Sequence, residues 1–85
     1  MAEKTFLLEI LTPDRQVFNG AVTYLEVPSS IGNFGVLKNH APLLAILKKG
    51  KVRYEYGNEK KELRIEEGFI EVLTDKVRIL VEGFV

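Results

Sequence analysis

The chain has 85 residues, enough for one small domain with a thin core. Twelve Lys and Arg balance twelve Asp and Glu, so the formal net charge is zero and there is no global pull toward nucleic acid or acidic lipid. At 46% hydrophobic the sequence is globular rather than disordered. The absence of cysteine excludes disulfides and thiolate chemistry, and no apolar run approaches the roughly 20 residues of a spanning helix.

The opening "MAEKTFLLEI" carries Glu3 and enters an alternating pattern almost at once, so it does not read as a secretory or transit signal. "TFLLEIL" places Phe6, Leu8 and Ile10 on one side and Thr5, Leu7, Glu9 and Leu11 on the other. Turn signals follow at "TPDR" (12–15) and "NG" (19–20), and "VTYLEVP" reads as a strand ended by Pro28. The segment "SSIGNFGVLKNHAP" is loop-like, with Gly32 and Gly35 suited to positive φ. "PLLAIL" is apolar on both sides, with Leu43, Ala45 and Leu47 opposite Leu44 and Ile46.

"KKGK" is a turn, "KVRYEY" and "ELRIEE" alternate strictly, and Gly57-Asn58 between them predicts a hairpin. "GFIEVL" sets Ile70 and Val72 against Phe69 and Leu73. In "KVRILVEGFV", Val77, Ile79 and Val81 lie opposite Leu80 and Phe84. No window carries helical spacing. About ten short strands predict an all-β, two-sheet antiparallel β-sandwich or a flattened barrel, as one domain over residues 1–85. The expected core is Phe6, Leu8, Ile10, Leu25, Val27, Val52, Tyr54, Leu63, Ile65, Ile70, Val72, Val77 and Ile79. The apolar residues left on outer faces must meet solvent or a partner.

The chemistry-bearing residues are sparse. His40 is the single histidine. Ser29, Ser30 and Asp14 are triad candidates by residue type only, and a metal site needs three or four ligands. His40 is therefore expected to hold the turn before Ala41-Pro42, and no catalytic or metal-ligating residue is assigned. "GNFG" lacks the Lys-Ser/Thr pair and the helix of a phosphate loop. Lys48, Lys49, Lys51 and Arg53 alternate with apolar residues and lack interleaved stacking aromatics, which favours a solvated hairpin over a nucleic-acid patch. Glu62, Glu66 and Glu67 lie among Lys60, Lys61 and Arg64, as on a charged outer face.

In combination these segments point to a family. Thr12-Pro13 with Phe18 and Gly20, then Gly32-x-x-Gly35-x-x-x-x-His40-Ala41-Pro42-Leu43, then Gly68-Phe69-x-Glu71-Val72, occur in the order found in one group. The sequence from about residue 5 to 82 resembles the amino-terminal β-sandwich of the epsilon subunit of F-type ATP synthases, the delta subunit of mitochondrial enzymes. The resemblance implies a ten-stranded sandwich in the central rotor. It would clamp the gamma subunit and rest on the c-ring, and so couple proton or sodium flow to ATP synthesis without catalysing anything itself.

The resemblance implies c-ring contacts at Ser29, Ser30, Ile31 and Asn33, with Lys38 and His40. The outward apolar residues Phe69, Leu73, Leu80 and Phe84, or Leu44 and Ile46, would meet gamma. No cofactor, nucleic acid or direct membrane contact is implied. The implied location is peripheral, on the cytoplasmic face of a bacterial inner membrane, as part of the complex. The chain departs from the family pattern at Lys38, where most members have Pro, and at Glu67, often Gly. It also stops at Val85, so neither the carboxy-terminal helical hairpin of fuller members nor an ATP site is expected. The residues alone also admit an unrelated β-sandwich adaptor or ligand-binding module, or, more distantly, a small hydrolase using His40.

Overall fold

A computed structural model describes residues 4–85. It contains nine strands: β1 (Phe6–Leu11), β2 (Gln16–Val22), β3 (Tyr24–Ser29), β4 (Gly32–Val36), β5 (Leu43–Leu47), β6 (Gly50–Tyr56), β7 (Glu59–Ile65), β8 (Gly68–Val72) and β9 (Lys76–Val81). No helix occurs among the described residues. The hydrogen-bonded path runs β2-β1-β9-β8-β5-β3-β6-β7, with β4 on the other edge of β3. All neighbours are antiparallel except β1 and β9, the first and last strands, which pair in parallel with Leu8 beside Val77 and Ile10 beside Ile79.

One layer of the sandwich is β2-β1-β9-β8-β5 and the other is β4-β3-β6-β7. They join through one residue pair, Ser29 with Leu47, where the end of β3 meets the end of β5. Around it Ser30 N–H donates to Ile46 (3.1 Å) and Lys48 N–H to Pro28 (2.8 Å). Farther along, the tail after β9 is stitched to β7: Phe84 bridges Ile65, and Val85 N–H donates to the Arg64 carbonyl at 3.0 Å.

The core is the inner face of both layers. Phe6, Leu8, Ile10, Ile70, Val72, Val77, Ile79 and Val81 come from the first, and Leu25, Val27, Val52, Tyr54 and Ile65 from the second. Val22, Val36 and Leu47 are also buried, though the alternation alone did not select them. Leu63, expected in the core, is only half-buried because it lies on the edge strand β7.

Four local expectations are corrected. Gly35 does not take a positive φ; it lies inside β4, where a Cβ would come 3.1 Å from the Tyr24 hydroxyl oxygen. Asn19-Gly20 is not a turn; both residues lie inside β2, opposite Glu9 and Leu8. A Cβ at Gly20 would come within 2.9 Å of both the Phe18 and Tyr56 rings, so this glycine makes room for aromatics rather than bending the chain. Pro28 does not end its strand, since β3 continues to Ser29. Pairing with β6 stops at Glu26 and pairing with β5 starts at Ser29, so the missing N–H of Pro28 falls in the gap between the two partners. Phe84 does not continue the outward face of β9. The chain bends after Val81, the two-residue period is lost, and the ring packs against the core.

The Gly57-Asn58 hairpin is present, with Gly57 at φ 63°, the positive value a type II′ turn requires at its first central residue. Gly68 is needed for packing: a Cβ there would strike the Leu80 carbonyl oxygen and lie 2.8 Å from the Val81 Cα. Gly68→Ala is expected to destabilise the domain by about 1–3 kcal/mol, the usual cost of overpacking. Ile65→Ala, which opens a cavity in the core, should cost about 2–5 kcal/mol. Chemical denaturation monitored by circular dichroism measures both.

Candidate functional site

The four-strand register β1-β9-β8-β5 sorts residues into rows, and alternate rows face outward. Leu11 pairs with Leu80, Leu80 with Phe69, and Phe69 with Ile46, so four apolar side chains cross the outer face in one line. The next outward row is Glu9, Arg78, Glu71 and Leu44. Beyond it Leu7 stands opposite Lys76, near Leu73. Leu44 is 70%, Ile46 66%, Phe69 46% and Leu73 44% exposed, a large apolar display for so small a domain. Leu44, Ala45, Ile46 and Phe69 line a hollow of about 360 Å³.

The middle row holds two carboxylates and one guanidinium, and Lys76 from the next row brings the cluster to neutrality. Arg78 Nε donates to Glu9 at 3.0 Å and Arg78 Nη1 lies 3.7 Å from Glu71, while Lys76 Nζ stands 3.7 Å from Glu9. The Arg78 hydrogen bond holds the Glu9 carboxyl below the usual carboxylate range. Its partial burial pulls the other way, and the Lys76 charge adds to the lowering.

Of the residues expected at gamma, Phe69, Leu80, Ile46 and Leu44 thus share one surface, and Leu73 lies on the same face at the far end of β8. Phe84 does not join them. Leu11 and Leu7 extend the surface. The two-sided pattern of "TFLLEIL" was the signal for them, but only the β1–β9 pairing puts them beside Leu80 and Lys76.

The six residues expected at the c-ring do not form one patch. Ser30 and Ile31 make the two-residue turn between β3 and β4, and Ile31 is 91% exposed. Asn33 is exposed just after the turn. Ser29 is a correction: it is 2% exposed, and its hydroxyl donates to the Gly32 carbonyl and accepts from Ile31 N–H (3.2 Å). Its side chain closes the turn from inside and is not available to a partner.

Lys38 and His40 lie past the other end of β4. Lys38 Nζ donates to the Thr5 carbonyl at 3.1 Å, next to the start of β1. His40 Nδ1 bonds the Ala41 carbonyl at 2.7 Å, and its ring stacks on Phe34 at 6.4 Å between centroids. Asn39 between them has φ 69°, a left-handed value that Asn tolerates. His40 is thereby tied into its own loop. Among the described residues no group of three or more His, Asp or Glu could hold a metal ion.

Comparison with known proteins places this geometry. The model of the ATP synthase delta/epsilon chain β-sandwich domain matches residues 5–85. The chain belongs to that family. It is 40% identical over 83 residues to an ATP synthase epsilon chain of Syntrophomonas wolfei, covering 96% of this chain and 61% of the relative. With the epsilon chain of Chlorobium limicola it shares 43% identity over 82 residues, 95% of this chain and 93% of that one.

A structure of the Euglena gracilis mitochondrial ATP synthase with its c-ring contains a chain that superposes with a TM-score of 0.90 at 25% identity, over all of this chain and 55% of its own. A central stalk and c-ring structure from Tetrahymena thermophila superposes with a TM-score of 0.80 at 13% identity, a likeness of fold alone. The chain spans 61% and 58% of the epsilon chains of Syntrophomonas wolfei and Solibacter usitatus. Family membership sets aside the reading as an unrelated sandwich.

The Glu9 environment has a pH consequence. Its folded pKa is lowered, so its contribution to stability is present above the ordinary carboxylate range and is lost as pH falls through the folded value. Thermal melts between about pH 7 and about pH 3 should show Glu9→Gln less stable than the parent chain at neutral pH, with the gap closing on acidification.

Proposed function

We propose that this chain is a non-catalytic rotor component of an F-type ATP synthase. In this reading it binds the gamma subunit through the outer face of the β1-β9-β8-β5 layer and turns the Ser30–Ile31 end toward the c-ring. It would lie peripherally on the cytoplasmic face of a bacterial inner membrane, held there by the complex. Its part in coupling ion flow to ATP synthesis is mechanical, since torque passes through it only if both contacts are firm.

The carrying observation is the apolar row Leu11–Leu80–Phe69–Ile46, with Leu44 beside it. Burying each large side chain at an interface is worth about 1.5–3 kcal/mol before the costs of association. The row is also bordered by Glu9–Arg78–Glu71, which together with Lys76 holds two charges of each sign, so a partner can cover the face without stranding an unpaired ion. Family membership and the likeness to rotor structures support the same reading.

Phe69→Asp and Ile46→Asp should each weaken binding to the gamma subunit at least ~10-fold, the loss of a buried apolar side chain. Both residues lie off the core, so the Tm of the isolated chain should stay nearly unchanged. Titration calorimetry with purified gamma reads the first effect and thermal melts the second. Binding that survives both substitutions would mean that gamma is gripped elsewhere.

The orientation has its own test. A cysteine at Asn33 should crosslink to a cysteine in a c-subunit loop, and one at Asn58, in the distant hairpin, should not. Equal yields would refute it.

A further inference from the structure

The outward row Glu9–Arg78–Glu71–Leu44 crosses the middle of the apolar face, and its two carboxylates are served unequally. The Glu9 side chain is 17% exposed, and both its oxygens have partners. Oε1 accepts from Arg78 Nε at 3.0 Å and lies 3.7 Å from Lys76 Nζ, while Oε2 accepts from Gln16 Nε2 at 3.4 Å. The Glu71 side chain is 45% exposed. Its ion contact is the 3.7 Å approach of Arg78 Nη1, beyond hydrogen-bond reach. Among the described residues the Glu71 carboxylate accepts no hydrogen bond.

Solvent meets that need while the face is open. Along its own chain Glu71 stands between the outward Phe69 and Leu73, and on the neighbouring strand it is paired with Leu44. All three of these apolar side chains are exposed. A partner that covers them must cover Glu71 as well. The charges of the cluster balance, but its hydrogen bonds do not. A carboxylate taken out of water without a donor opposes association.

We propose that Glu71 is the polar recognition point of this face, accepting a hydrogen bond from a neutral N–H or O–H group of the docked subunit. The inference deepens the proposed reading and rests on it, with gamma as the docked subunit. Charge decides the kind of donor. Glu9, Glu71, Arg78 and Lys76 already balance, so a lysine or arginine from gamma would bury an excess positive charge. A main-chain N–H, a hydroxyl or a side-chain amide supplies the bond and leaves the balance intact. The apolar rows give the contact its area, and Glu71 gives it selectivity. An apolar surface with no donor at that point would strand the carboxylate and be rejected.

Titration calorimetry of purified gamma against two double variants of the chain tests this through the sign of an effect. Lys76→Met with Glu71→Leu and Lys76→Met with Glu71→Gln each leave Glu9 and Arg78 as a balanced pair. They differ only in whether an acceptor oxygen remains at position 71. The Leu form should bind gamma at least ~10-fold more weakly than the Gln form, because the donor of gamma is left buried and unpaired. If Glu71 were only a desolvation burden, the added apolar surface would make the Leu form the tighter binder.

Glu71 lies outside the core, so thermal melts should show every variant folded. Binding by the Leu form as tight as that of the Gln form, or tighter, overturns the proposal. So does a salt dependence steeper for the natural chain than for the Gln form, which would set a cation of gamma against Glu71. Phe69→Asp in the same assay separates the two levels. If it weakens binding while the Leu and Gln forms bind alike, the docking face stands and the recognition point falls. If it leaves binding intact, the face itself is wrong and the inference falls with it.

Discussion

The outer face depends on the register that carries β1 through β9 and β8 to β5. Side chains alternate with a period of two, so a slip of one residue at any of these pairings would send an entire row to the wrong side. With Ile10, Ile79 and Ile70 aligned inward, Leu80 and Phe69 have no option but to align outward. Core formation and the apolar display on the surface are therefore one constraint. The protein cannot bury its isoleucines without presenting the opposite row, and a partner can rely on a surface whose spacing is held by the hydrophobic interior.

The two outer faces differ in kind. On the five-strand layer a central band of charge is neutralised by Arg78 and Lys76 against two glutamates, and apolar rows flank it. On the four-strand layer the outward residues of β6 and β7 are almost all charged, with Arg53 between Glu26 and Glu62. That second face covers its side of the core with solvated ion pairs, each worth little to stability. Lysines along β7 also keep an edge strand unattractive to other chains. One face is thus suited to docking and the other to water.

Much of this was legible in the sequence because strict alternation is a geometric signal. "KVRYEY", "GFIEVL" and "KVRILV" each announce a strand and its buried side. What alternation could not disclose was which strands become neighbours. Leu7 and Leu11 gain their meaning only from β9 beside β1, and Leu47 is buried because β5 meets β3 at its last residue. Signals read residue by residue failed where a longer-range contact outweighed them. Asn19-Gly20 looks like a turn until the Phe18 and Tyr56 rings need its space, and Ser29 looks like a loop residue until its hydroxyl is seen bracing the turn. Lys38 and His40 are near Asn33 in sequence, but a whole strand separates them from the turn in space.

The parallel pairing of the first strand with the last also bears on how the molecule comes into being. β9 is an interior strand, flanked by β1 and β8, so a nascent chain lacking it has a gap in the middle of a layer rather than a missing edge. During synthesis β1 must wait, its Leu8 and Ile10 unsheltered, until residues near Val81 have left the ribosome. Contacts of such long sequence separation place the domain among slow folders, on the order of milliseconds to seconds. In that interval the apolar segment Phe6–Leu11 lacks its β9 partner, the kind of exposure that makes folding intermediates prone to aggregate.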